Sequence, residues 1–84
     1  MEEATYTTGA LEKQTKEFIA IGISIITNCE SCIEWHINQA LKDGASKEQI
    51  YETIGVAIEM GGGPATVVSR FAVKVLEYHL EKMN

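Results

Sequence analysis

Both cysteines of the chain and the nearer of its two histidines fall in one short stretch, Asn28-Cys29-Glu30-Ser31-Cys32-Ile33-Glu34-Trp35-His36. On a helix Cys29 and Cys32 stand at i, i+3, and Cys32 and His36 at i, i+4, so all three share one face. Two thiols one turn apart lie inside the Cα range of about 4.4–6.8 Å that a disulfide permits. An imidazole one turn further on can take a proton from a thiol and return it. These residue types at this spacing point to thiol redox chemistry. Near a helix start, unpaired backbone N–H groups favour a thiolate, and His36 is a second device for forming it. Cys32 is then the attacking sulfur and Cys29 its resolving partner, with the reverse assignment left open by the residues alone.

Other readings of the same residues exist. C-x-x-C followed by x-x-x-H could hold a metal with His79 or Glu17 as a fourth ligand, but structural zinc sites usually recruit a second close pair, and the chain has none. The pair could also be inert core cysteines. Gly61-Gly62-Gly63 invites a phosphate-loop reading, yet Pro64-Ala65 follows where Lys-Ser/Thr would be required. It reads better as a helix break that lets backbones approach. His79 lies on an apolar stripe and reads as a packing or interface histidine. Trp35 and Tyr51 read as core or subunit-contact aromatics.

The elements that must position the cysteines are helices. Residues 1–10 have no periodicity and read as a flexible N-terminal arm, and residues 11–84 as a single domain. The first helical segment, about Leu11 to Ile26, begins polar and ends apolar. Its Ile19/Ile21/Ile23/Ile25 alternation would also suit a buried strand, but no second strand exists to pair with it. The next segment starts at Thr27 or Asn28, with Glu30 in capping-box spacing from Thr27, carries the stripe Cys29, Cys32/Ile33, His36/Ile37, Ala40/Leu41, and stops at Gly44. A third opens with the capping-box spacing Ser46-Lys47-Glu48-Gln49 and buries Ile50, Ile54, Ala57 and Ile58. Pro64 suits the first turn of a fourth, whose stripe is Val67/Val68, Phe71/Ala72, Val75/Leu76, His79/Leu80, Met83. Short connections make this an all-α domain of about four helices with antiparallel neighbours.

That hairpin geometry draws in Glu17. It lies ten residues before the Thr27-Asn28 bend and His36 about eight after it, roughly 15 and 12 Å along their helices at ~1.5 Å per residue. A carboxylate at that level can orient the imidazole and complete a Glu–His–Cys relay.

Bulk properties narrow the partners. A core built from 84 residues rarely supplies more than ~3–5 kcal/mol, so oligomerisation, a disulfide or a metal is expected to help. A formal charge of −5 and the lack of a basic patch argue against nucleic acid and anionic membrane. The acidic start Met1-Glu2-Glu3 is unlike a secretory leader, and the longest apolar run, Phe18 to Ile26, is far too short to span a bilayer. A cytoplasmic location is expected, where a C-x-x-C is more often catalytic or metal-binding than structural.

The motifs Leu11-x-x-x-Thr15-Lys16-Glu17-Phe18-Ile19, Asn28 to His36, Ala40-Leu41-x-x-Gly44-Ala45-Ser46-x-x-Gln49-Ile50 and Met60-Gly61-Gly62-Gly63-Pro64-Ala65 together resemble the carboxymuconolactone decarboxylase/AhpD-like family over about residues 9–76. Glu17, Cys29, Cys32 and His36 occupy all four positions of its E-x(11)-C-x-x-C-x-x-x-H spacing. The resemblance implies an AhpD-like helical fold assembled as a homotrimer or homohexamer. It implies alkylhydroperoxidase or disulfide-reductase chemistry, of peroxiredoxin type and antioxidant in effect, on a small hydroperoxide or disulfide. Cys32 is then paired with the histidine and attacks peroxide, while Cys29 faces solvent and exchanges with a partner thiol. The redox-active Cys29–Cys32 disulfide replaces any separate cofactor, and a lipoyl or thioredoxin-like donor supplies electrons. The alternatives are a non-enzymatic oligomeric helical module whose cysteines form a redox-sensitive staple, and a carboxymuconolactone decarboxylase-type lyase, disfavoured because decarboxylase members are different in lacking the cysteine pair. The best-known antioxidant members carry a histidine just before the second cysteine, where this chain has Ser31.

Overall fold

The computed structural model describes residues 2–83, of which Glu2 and Glu3 are described as backbone only. Five helices follow one another: α1 (Glu2–Tyr6), α2 (Lys13–Ile26), α3 (Glu30–Lys42), α4 (Lys47–Gly61) and α5 (Gly63–Met83), with no strand among the described residues. The four long helices are the expected four. The addition is α1, which forms within the stretch read as a loose arm.

The isoleucine run of α2 is resolved by its period. A strand would turn Ile19, Ile21, Ile23 and Ile25 to one face. Here Ile21 and Ile25 are buried while Ile19, Ile23 and Ile26 are about half exposed, the split that a helical period of 3.6 imposes. Ile21 and Ile25 meet Ile33, Ile37, Ala40 and Leu41 of α3, Ile50, Ile54 and Ala57 of α4, and Ala65, Ala72, Val75 and Leu76 of α5 in one core. Helix α2 packs against α3, α4 and α5, so it is the central element and the natural carrier of a buried polar group.

Helix ends follow local chemistry. The Ser46–Gln49 capping box forms with both bonds in place, Gln49 N–H to Ser46 Oγ (3.1 Å) and Ser46 N–H to Gln49 Oε1 (2.9 Å). Gly44 takes φ +92° after α3, a conformation that only glycine adopts cheaply. Gly61 ends α4 where a Cβ would come within 2.5 Å of Ile26 Cδ1 and 2.6 Å of Ala65 Cβ, so its missing side chain lets α4 meet α2 and α5. The α3 cap departs from expectation. Thr27 closes α2, its N–H bonded to Ile23 O at 2.9 Å, and Asn28 turns the chain with φ +55°, so Cys29 becomes the N-cap of α3. In α5, Val67 and Met83 point outward at 60% and 62% exposure, and the stripe narrows to Val68, Phe71, Ala72, Val75, Leu76 and Leu80.

Candidate active site

Capping by cysteine rather than threonine sets the sulfur geometry. Cys29 Sγ accepts the Cys32 backbone N–H at 3.3 Å, the bond that a cap side chain normally supplies with oxygen. Cys29 N–H is itself bonded to Ser24 O at 2.9 Å and its carbonyl accepts Ile33 N–H at 2.9 Å, so the residue is held between α2 and α3. Cys29 and Cys32 are joined as a disulfide with Cα atoms 5.2 Å apart. Both sulfur-bearing residues are half-buried, and Ser31 Oγ lies 3.6 Å from Cys29 Sγ.

One turn beyond Cys32, His36 Nδ1 meets Glu17 Oε1 at 2.7 Å. That contact, across the Thr27–Cys29 connection, requires α2 and α3 to run back along each other. It leaves Nε2 as the ring nitrogen free to exchange a proton with a reacting group. Glu17 is only 2% exposed. A carboxylate so buried is tolerated when its oxygens are paired, and both are: Oε2 faces Lys13 Nζ at 3.3 Å, one turn earlier on α2.

Lys13 extends the network. Its ammonium also meets Asp43 Oδ2 at 2.6 Å, at the end of α3, and neighbouring Gln14 Nε2 donates to Asp43 O at 3.2 Å. The Lys13 pKa is raised above its ordinary value, chiefly by the hydrogen bond to Asp43; desolvation opposes the rise, and the hydrogen bond to Glu17 adds a smaller increase. The clamp fixes the start of α2 against the end of α3 and so sets the register in which Glu17 meets His36.

The remaining wall comes from α1. Tyr6 stands with its ring centroid 5.2 Å from that of His36, inclined by 38°. Tyr6, Ser31, Cys32, Trp35 and His36 line one open cavity of about 470 Å³. Trp35, expected in the core or at a subunit contact, is 48% exposed and walls this cavity; Tyr51 is likewise outside the core at 42%. The reason lies in the α3 stripe. Ile33, Ile37, Ala40 and Leu41 face inward, which turns position 35 to the outer face. His79 sits elsewhere, its Nε2 2.7 Å from Glu34 Oε2, and among the described residues no three His, Cys, Asp or Glu side chains are grouped as metal ligands.

Glu17 meets His36, Cys29 is joined to Cys32, and Cys32 and His36 line one cavity, which puts the four in one neighbourhood. Lys13, Asp43 and Tyr6 join it without having been singled out. Lys13 is legible in hindsight as the residue one turn before Glu17. Asp43 and Tyr6 reach the site only through long-range packing.

This architecture has counterparts. Residues 1–75 match the model of the Carboxymuconolactone decarboxylase family, and the chain belongs to that family. A crystal structure of a carboxymuconolactone decarboxylase family protein from Legionella pneumophila superposes with a TM-score of 0.88 at 36% identity, covering 93% of this chain and 70% of that one. A family member from Thermotoga maritima gives 0.89 at 34%, covering 98% and 69%. Among curated sequences, the "Uncharacterized protein 4 in cox locus" of Paracoccus denitrificans is 40% identical over 92% of this chain and 69% of its own length. An uncharacterized Cupriavidus necator protein is 39% identical, with 59% of its length spanned. The alkyl hydroperoxide reductase AhpD of Corynebacterium aurimucosum is 43% identical over 47 residues, or 56% of this chain and 27% of that protein. Among the described residues no helix is long and apolar enough to cross a membrane.

Proposed function

We propose that this chain is a thiol-dependent oxidoreductase of the alkylhydroperoxidase type, antioxidant in effect, that reduces a small hydroperoxide or a partner's disulfide. The observation that carries this reading is one convergence: a buried carboxylate holds the Nδ1 edge of His36 while that ring and Cys32 line a common cavity. In the dithiol form Cys32 gives its proton to His36 and attacks the outer peroxide oxygen. The O–O bond breaks, the departing alkoxide takes the proton back as alcohol, and Cys32 is left as a sulfenic acid. Cys29 attacks that sulfur, water leaves, and the Cys29–Cys32 disulfide forms. A dithiol donor, lipoyl or thioredoxin-like, returns two electrons through Cys29.

Glu17 acts through His36 by fixing its tautomer and orientation and by stabilising the imidazolium. The likeness to a hydroperoxide reductase over 47 residues supports the same chemistry. Exposed Ile19, Ile23, Ile26, Val56 and Met60 around an apolar groove between α2 and α4 support assembly into a homo-oligomer, which sedimentation tests.

The deciding experiment is peroxide-dependent oxidation of dihydrolipoamide by the wild type, Cys29→Ser and Cys32→Ser. Wild-type turnover with both variants at the uncatalysed rate is expected. Equal rates in all three proteins would leave the cysteines as a passive redox-sensitive staple.

A further inference from the structure

Helix α1 is too short to be stable alone, yet two of its contacts fasten it to α2 and α3. Lys16 Nζ of α2 donates to Thr5 O at 2.9 Å and to Thr7 O at 2.8 Å, a cation set on carbonyls at the C-terminal end of a helix, where the dipole favours it. The second fastening is the Tyr6 ring against His36. Because Glu17 bonds one edge of the imidazole, the ring keeps freedom to rock about the Nδ1···Oε1 line. The Tyr6 ring lies against the imidazole and narrows that rocking. Tyr6 lines the same cavity as Cys32, so this restraint acts on the side where the proton must pass.

We infer that Tyr6 is a positioning residue for the thiol chemistry: carried over the cavity by α1 and the Lys16 clasp, its ring keeps His36 Nε2 aimed at Cys32. The inference rests on the proposed function and adds a residue from outside the four-residue motif. In this role Tyr6 acts on the imidazole rather than on a reacting sulfur. Its effect passes wholly through the imidazole, and the contact is between rings, so phenylalanine should serve as well as tyrosine.

The test is the rate of Cys32 alkylation by iodoacetamide in reduced full-length protein carrying Cys29→Ser, so that one thiol is labelled. It is measured below pH 7 and again above ~pH 9, where an ordinary thiol with pKa near ~8.5 is ionised without help. Tyr6→Ala should slow alkylation about tenfold below pH 7, the scale of a modest misplacement of a catalytic group, and leave the high-pH rate unchanged. Tyr6→Phe should match the parent protein. Lys16→Gln, which loosens α1 without touching the site, should give a smaller fall in the same direction.

A simple opening of the cavity would instead raise both rates, and general misfolding would move both together. Either result overturns the inference, as does unchanged low-pH alkylation in Tyr6→Ala or a Tyr6→Phe protein as slow as Tyr6→Ala. If the parent protein itself alkylates below pH 7 no faster than a free thiol, the proposed function falls and takes Tyr6's role with it. A fast parent with an unaffected Tyr6→Ala removes Tyr6 alone.

Discussion

The molecule contains two histidine–glutamate pairs that look alike at first sight. His36 meets Glu17 and His79 meets Glu34, both at 2.7 Å, and the two imidazoles are almost equally covered, at 13% and 12% exposure. Everything beyond that contact differs. Glu17 is 2% exposed and shares Lys13, whereas Glu34 is 49% exposed on the outer side of α3. His36 shares a cavity with Cys32, while His79 joins α5 to α3 beside Tyr78. A buried, doubly paired carboxylate holds an imidazole in one tautomer and orientation. An exposed one adds a surface contact worth about 0–1 kcal/mol. On the proposed function, burial of the carboxylate and a cysteine lining the same cavity, rather than the histidine–glutamate pair itself, separate the reactive histidine from one that staples helices.

That contrast breaks most sharply on activity. His36→Ala should lower peroxide-driven dithiol oxidation by roughly 10²–10⁴-fold, the usual contribution of a positioned general acid–base, while His79→Ala stays close to wild type in the same assay. Comparable losses in the two proteins would erase the distinction. Interrupting the sulfur cycle is the next largest effect: Cys29→Ser exposed to peroxide should accumulate a sulfenic acid on Cys32 that dimedone captures, seen as a mass increase absent from the wild type. Absence of the adduct in Cys29→Ser would assign the attack to Cys29.

Stability sharpens the comparison further. Glu17→Ala leaves His36 and Lys13 without their shared partner and opens space in α2, so it should cost about 2–3 kcal/mol in denaturant unfolding. Glu34→Ala should cost less than about 1 kcal/mol. The smallest effect concerns Lys13. Its folded-state pKa is raised above 10.5, so its contribution is complete below that value and is lost as pH rises through the higher folded pKa. Melting temperatures should therefore fall more steeply above pH 10.5 in the wild type than in Lys13→Met, with no difference between the two slopes near neutrality.

Much of this was readable from residue order because local chemistry and long-range packing agree. The four long helices, the Ser46–Gln49 box and the Gly44 stop follow from period and caps, and the level of Glu17 against His36 follows from counting turns on either side of one bend. What was not readable arises where a distant contact decides. Helix α1 has no apolar period of its own and is held by contacts with later helices, among them the Lys16 bonds to Thr5 and Thr7 and the Tyr6–His36 contact. Thr27-x-x-Glu30 looks like a capping box, yet Thr27 is used to end α2, so the cap passes to Cys29. Trp35 is large and apolar, but its place two positions after Ile33 turns it away from the core, where size and hydrophobicity alone would have put it.

Whether the buried carboxylate serves the sulfur is tested most directly with Glu17→Gln in reduced Cys29→Ser protein, by the alkylation rate of Cys32 below pH 7. Glutamine keeps the shape of the side chain and an oxygen for the His36 Nδ1–H but removes the charge. The rate should drop toward that of an ordinary thiol with pKa near ~8.5. A Glu17→Gln protein as reactive as its parent would contradict the Glu17–His36–Cys32 relay.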